Sequence, residues 1–157
     1  MSNPFHETLN LTMFGKMGRV HRLCRVAVSA AVQPLGLTES RWTAMVHLTN
    51  LGEGSTQQML ADSLGIEMPS LTRTLKHLEQ AEIIERRVGE QDKRNRHLFF
   101  TDKGLALLEQ LRKVIALTKQ ELYSGLNDDE LDTAARVLVK MENNALRCHH
   151  KLITGEE

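Results

Sequence analysis

The chain has 157 residues, of which 41% are hydrophobic and 25% charged, with 20 basic residues balancing 20 acidic ones. That length holds an ordinary globular core, and the composition is normal for a soluble globular protein. A formal net charge of zero supplies no global field toward nucleic acid, so any such affinity must come from local basic patches. Four Phe, one Tyr and one Trp leave the core to Leu, Val, Ile, Met and Ala. Cys24 and Cys148 have no metal-knuckle spacing, and with no export signal legible at Ser2-Asn3-Pro4 they are expected as reduced thiols of a cytoplasmic protein. No apolar run approaches the roughly 20 residues that span a bilayer.

Apolar residues recur at helical spacing from Phe5 to Val32, through Leu9, Met13, Met17, Val20, Cys24, Val28 and Ala31. Pro34 and Gly36 end this first helix. So long a helix, apolar on much of its surface, is expected to meet a partner subunit. Thr38 is a candidate cap for a second helix, with Trp42, Met45, Val46 and Leu48 or Thr49 as its inward stripe.

A short third helix is expected over residues 57–64, stopped by Gly65, and a fourth over 68–80, with Pro69 tolerated in its first turn. Leu71, Leu75 and Leu78 fall on one face of the fourth helix. The period then shifts to two short strands, residues 84–88 and 96–101, joined by a charged connector over 89–95. Thr101-Asp102 caps a fifth helix with a stripe of Leu105, Leu108, Leu111, Ile115 and Leu122. Asn127 with Glu130 forms a capping box for the last helix.

Residues 57–78 read as a helix-turn-helix. Small Ala61 lets the second helix cross closely, and Leu60, Leu64, Leu71 and Leu75 lock the pair. With those leucines buried, the outer face offers Pro69, Ser70, Thr72, Arg73, Lys76 and His77, side chains suited to base edges and phosphates in a major groove. A helical hairpin alone occurs in any all-α protein. Here a basic two-stranded hairpin follows at once, and Asp92, Lys93, Arg94 and Arg96 at its tip suit a wing that enters a minor groove or binds phosphate.

These segments resemble the MarR family, and especially its SlyA-like branch, over nearly the whole chain. The resemblance is carried by Leu37-Thr38 with Trp42, by the run from Leu60 to Leu75, by Leu78-Glu79, by Asp92-Lys93-Arg94, and by Phe100-Thr101-Asp102-Lys103-Gly104. It implies a mainly α fold with a small β wing, a winged helix-turn-helix joined to an intertwined helical dimerisation domain. The expected division is a dimerisation helix over 1–36, a DNA-binding domain over 37–102 and dimerisation helices over 103–157. The resemblance further implies a homodimer on a palindromic double-stranded operator, with Asp92 bracing Arg94 in the minor groove.

Many members of that family respond to small aromatic acids. Lys16, Arg19, Arg22 and Arg25 form a basic stripe on the first helix, with no acid from Thr8 to Ser29. A guanidinium beside an indole suits an aromatic carboxylate, so Arg22, Arg25, Trp42, Arg73 and Thr74 are the candidate effector contacts. The competing reading pairs these arginines with acids of a partner subunit or with phosphates and leaves Trp42 in the core.

His21 with Cys24, and Cys148-His149-His150, fall short of the three or four convergent ligands of a zinc site. No metal or cofactor is expected. The apolar neighbours of Cys24 favour an inert thiol over an oxidant sensor. No Gly-rich phosphate loop, nucleophile elbow or paired catalytic acid appears, so no enzymatic activity is expected. The readings that compete with a DNA-binding regulator are a helical adaptor that binds no DNA and a redox-sensing regulator built on Cys24.

Overall fold

The computed structural model describes residues 11–88 and 96–155. The described elements are α1 (Leu11–Val32), a 3-10 turn (Gln33–Leu35), α2 (Glu39–Leu51), β1 (Ser55–Thr56), α3 (Gln57–Leu64), α4 (Met68–Gln80), β2 (Ile84–Val88), β3 (Arg96–Phe100), α5 (Asp102–Leu122) and α6 (Asp128–Thr154). The fold is mainly helical with a small antiparallel sheet, as expected. The described residues up to Leu122 form one compact unit and those from Tyr123 another.

In the first unit, the 3-10 turn closes on Gly36, whose left-handed backbone (φ 72°) donates its N–H to Gln33 O. Thr38 occupies the N-cap position of α2, but its hydroxyl lies 3.3 Å from Ser40 Oγ and makes no cap bond to the backbone. The expected position is right and the expected bond is absent. Trp42, Met45 and Leu48 are buried along α2, with Val46 and Thr49 half-buried. They join Val28 and Val32 of α1, Leu60 and Ala61 of α3, Leu71, Leu75 and Leu78 of α4, and Leu108 and Leu111 of α5 in one core.

The sheet has the order β1-β3-β2, so the strand last in sequence is the central one. Its registers are Ser55↔Leu98 on one side and Ile84↔Phe100, Arg86↔Leu98 and Val88↔Arg96 on the other. The pairing β1–β3 ties the start of α3 to the hairpin. Thr101 then anchors α5: its backbone N–H donates to Ile83 O at 3.1 Å, and its Oγ1 accepts from Gly104 N at 3.0 Å.

The expected stripe of α5 is only partly buried. Leu108 and Leu111 are in the core and Ile115 packs against it, whereas Leu105 (46% exposed) and Leu122 face out. Periodicity identifies an apolar face but not which chain covers it. The outward apolar positions of α1 (Phe14, Val20, Leu23 and Val26) follow the same pattern.

The second unit is built on α6. Asn127 Oδ1 accepts from Glu130 N and Glu130 Oε2 accepts from Asn127 N, both at 2.9 Å, which completes the expected capping box. Gly155 ends the helix with a left-handed backbone. Leu138, Leu146, Leu152 and Ile153 are exposed on it, and no described residue of α6 is fully buried.

Candidate nucleic-acid interface

Local sequence builds the helix pair. Thr56 Oγ1 accepts from Met59 N at 3.2 Å and starts α3. Gly65 adopts φ 63° at the end of α3, a conformation that carries little penalty only without a Cβ, and its N–H returns to Ala61 and Asp62 carbonyls. Pro69 then sits in the first turn of α4, where its missing N–H leaves no bond unmade.

Leu71, Thr74, Leu75 and Leu78 are the buried positions of α4. The opposite face exposes Pro69, Ser70, Thr72, Arg73, Lys76 and His77, all six of the residues expected there. Thr72 spends its proton on Met68 O at 2.8 Å, so its hydroxyl faces outward as an acceptor. Arg73 and Lys76 make no ion pair among the described residues. A rigid helix thus presents free cationic donors and hydroxyls from a buried leucine base.

The described residues of the hairpin beside it include three arginines. Arg87 lies with its guanidinium carbon 4.4 Å from the centroid of the Phe99 ring and pairs with Glu85 on its own strand. Arg86 points the other way, to Glu79 of α4. Arg96 is exposed opposite Val88, at the last described pair before the tip. The expected tip residues Asp92, Lys93 and Arg94 lie outside the described residues. One residue beyond Arg96 along β3, His97 Nδ1 is 2.6 Å from Gly54 O, which holds the β1 end against β3.

Of the expected effector contacts, the structure brings two together and separates three. Arg25 and Thr74 line a cavity of about 330 Å³ with Glu39, Ser40, Thr43, His47 and Ser70, over a floor that includes Leu71. Arg22 and Arg73 are exposed and are not among its lining residues. Trp42 is buried in the core, its indole N–H donating to Ser29 Oγ at 3.0 Å. Arg25 is paired at 2.6 Å with Glu39, an acid of its own chain. Its Nε is buried with no hydrogen-bond partner.

Two pairs were not legible as site features: Arg25–Glu39 and Arg86–Glu79. Each joins residues on different elements, and no spacing rule connects them. Cys24 is half-buried on α1 and Cys148 exposed on α6. No cluster of three or more His, Cys, Asp or Glu side chains fit for a metal occurs among the described residues. No described helix is long and apolar enough to cross a membrane.

Residues 37–95 match the family model described as MarR family. A MarR transcriptional regulator from Methanosarcina mazei Go1 superposes with TM-score 0.79 at 21% identity, over 88% of this chain and 99% of its own. The transcriptional regulator PA3341 gives TM-score 0.79 at 27% identity, over 85% and 98%. A cysteine-to-serine mutant of MarR from E. coli, solved in complex with operator DNA, gives TM-score 0.74 at 26% identity, over 89% and 99%. The segment matched by the family model holds the helix pair and β2 built above, and the fold along the chain is similar to that of these MarR-family regulators.

Proposed function

We propose that the protein is a transcription regulator that binds double-stranded DNA sequence-specifically, as a homodimer on a palindromic operator, and has no enzymatic activity. The observation that carries this reading is the outward face of α4. Pro69, Ser70, Thr72, Arg73, Lys76 and His77 share one exposed surface on a helix whose other face is locked into the core. Arg and hydroxyl side chains on an otherwise immobilised helix suit base edges and flanking phosphates. The similar E. coli MarR was solved with operator DNA. In the proposed complex α4 enters the major groove, and the tip residues Asp92, Lys93 and Arg94, with Arg96, reach the adjacent minor groove or its phosphates.

The dimer reading rests on apolar surface left open in the single chain. Phe14, Val20, Leu23 and Val26 on α1 and Leu146, Leu152 and Ile153 on α6 are all exposed. So many large apolar side chains left open on each of two helices are characteristic of subunit interfaces. The dimerisation parts are accordingly residues 1–36 and 103–157, flanking a DNA-binding domain over 37–102. The kinship with the SlyA-like branch is proposed on the run from Leu60 to Leu75.

The effector reading is narrower than the residue types imply. The cavity between α1, α2 and α4 offers Arg25 and Thr74 to a small aromatic carboxylate, while Trp42 serves the core. Since Glu39 already pairs with Arg25, an anionic ligand must share or displace that contact. Ser70 lines the same cavity and belongs to the exposed face of α4, so a ligand there can shift the helix that reads DNA.

The test is duplex binding followed against salt. The expected result is an affinity that falls linearly on logarithmic axes, with a slope of about −0.9 for each phosphate neutralised. Absence of duplex binding at about 50 mM salt, over a broad pool of sequences, contradicts the reading and favours the adaptor.

A further inference from the structure

We propose that Glu79 and Arg86 are positioning residues that clamp the wing to the recognition helix, so that α4 and the hairpin meet DNA as one rigid reader. The coupling to DNA rests on the function proposed above.

The geometry is specific. Glu79 follows Leu78 at the margin of the buried face of α4. Arg86 lies in the middle of β2, opposite Leu98, which is fully buried. Its Nε donates to Glu79 Oε2 at 3.1 Å and its Nη2 donates to the same oxygen. The Arg86 side chain is only 14% exposed, against 38% for Glu79. A guanidinium so far withdrawn from water is costly without its counter-ion, so the hairpin has little alternative to this seat.

The clamp grips the wing where it matters. Ile84, Arg86 and Val88 share one face of β2, and Arg96 pairs with Val88 across the hairpin. Arg96 adds a weaker electrostatic pull on the same Glu79 carboxylate. Both strands that carry residues 89–95 are therefore drawn toward one acid of the recognition helix. Four other charges of the hairpin and its approach are otherwise engaged: Arg87 pairs with Glu85, and Glu82 pairs with Lys103. Glu79 is the acid of α4 that reaches the hairpin.

A pair that only stabilised the fold would lower the melting temperature and weaken every function alike. A clamp makes a sharper demand, because its effect on DNA must pass through the tip. Glu79→Gln in the full-length protein is expected to weaken operator binding about tenfold, or about 1.4 kcal/mol. Arg94→Ala is expected to cost a similar factor. The double variant should bind within about threefold of Arg94→Ala alone, because a tip without its contact has nothing left to lose from poor positioning.

Binding is measured where circular dichroism shows each variant folded, and Arg86→Gln serves as the second variant on the same expectations. Amide exchange of the DNA-free protein supplies a readout independent of DNA. Residues 84–88 and 96–100 should lose protection in Glu79→Gln while residues 71–78 keep theirs. Multiplying penalties near a hundredfold in the double variant, or unchanged affinity in Glu79→Gln, overturn the coupling. Unchanged hairpin protection overturns the clamp itself, even in a chain that binds no duplex. Failure of the unsubstituted chain to bind any duplex overturns the function proposed above and the coupling to DNA with it.

Discussion

Replacing Gly104 with alanine drives a methyl group into the backbone at the root of the wing. Gly104 is buried in the first turn of α5, and a Cβ built on it lies 1.9 Å from Ile83 O and 2.9 Å from the carbonyl carbon. Ordinary carbon–oxygen contacts are about 3.3–3.6 Å, so the two segments must part by roughly 1.4 Å or more. That carbonyl is no loose end, since it accepts the Thr101 N–H at 3.1 Å. Thr101 Oγ1 also donates to Glu82 O at 2.5 Å and accepts from Gly104 N. Separation therefore strains or breaks the bonds that join the start of β2 to the start of α5. Overpacking costs roughly 1–3 kcal/mol where side chains can yield, and a backbone obstacle places this site near 3. For a chain of this size each kcal/mol moves the melting temperature by about 2–4 °C, so the expected drop is about 6–12 °C. Circular dichroism melting of the variant beside the parent protein measures it. A melting temperature within about 2 °C of the parent refutes the claim that this contact is a steric limit.

Other substitutions probe separate links. Leu75→Ala removes a side chain that is 1% exposed beneath the recognition helix, and chemical denaturation should show a loss of about 2–5 kcal/mol. Arg73→Ala should leave the melting temperature unchanged but cost ~1–3 kcal/mol in operator binding and relax preference at one base position, read by competition among variant duplexes. The Arg86 hydrogen bond holds the Glu79 carboxyl below its usual 4.5, against a smaller opposing effect of burial. A depressed carboxylate contributes its stability above the unfolded value and loses it as pH falls through the folded one. The melting-temperature gap between the parent and Glu79→Gln should therefore be constant from about pH 6 to 8 and close in acid below about pH 4.

Much of this architecture was legible because each element obeys one strong local rule. Leu71, Leu75 and Leu78 share a face only on a helix, Gly65 ends the helix before it, and Asn127 with Glu130 starts another. The outward set on α4 followed by subtraction once that buried face was known. The rule for Leu105 and Leu122 is the same, yet both face outward, because a stripe does not state whose surface it meets. Residue type left Trp42 either beside a ligand or in the core, and the structure puts it in the core with its indole N–H on Ser29, thirteen positions earlier. Glu79 entered the sequence reading only through the resemblance, and nothing there joined it to Arg86. Charged residues are common on any surface, and only the fold shows that this pair meets at the seam between helix and wing. Gly104 was one glycine among ten until the approach of Ile83 O showed why no side chain fits.

Selection of bound sites from random duplex DNA tests the central claim most directly. Two copies of α4 related by a two-fold axis should enrich an inverted repeat whose half-site centres lie about one helical turn, 10–10.5 base pairs, apart. Arg73→Ala should blur the same position in both halves. Enrichment of no sequence, or of an asymmetric one that Arg73→Ala leaves intact, contradicts a dimeric reader built on the outward face of α4.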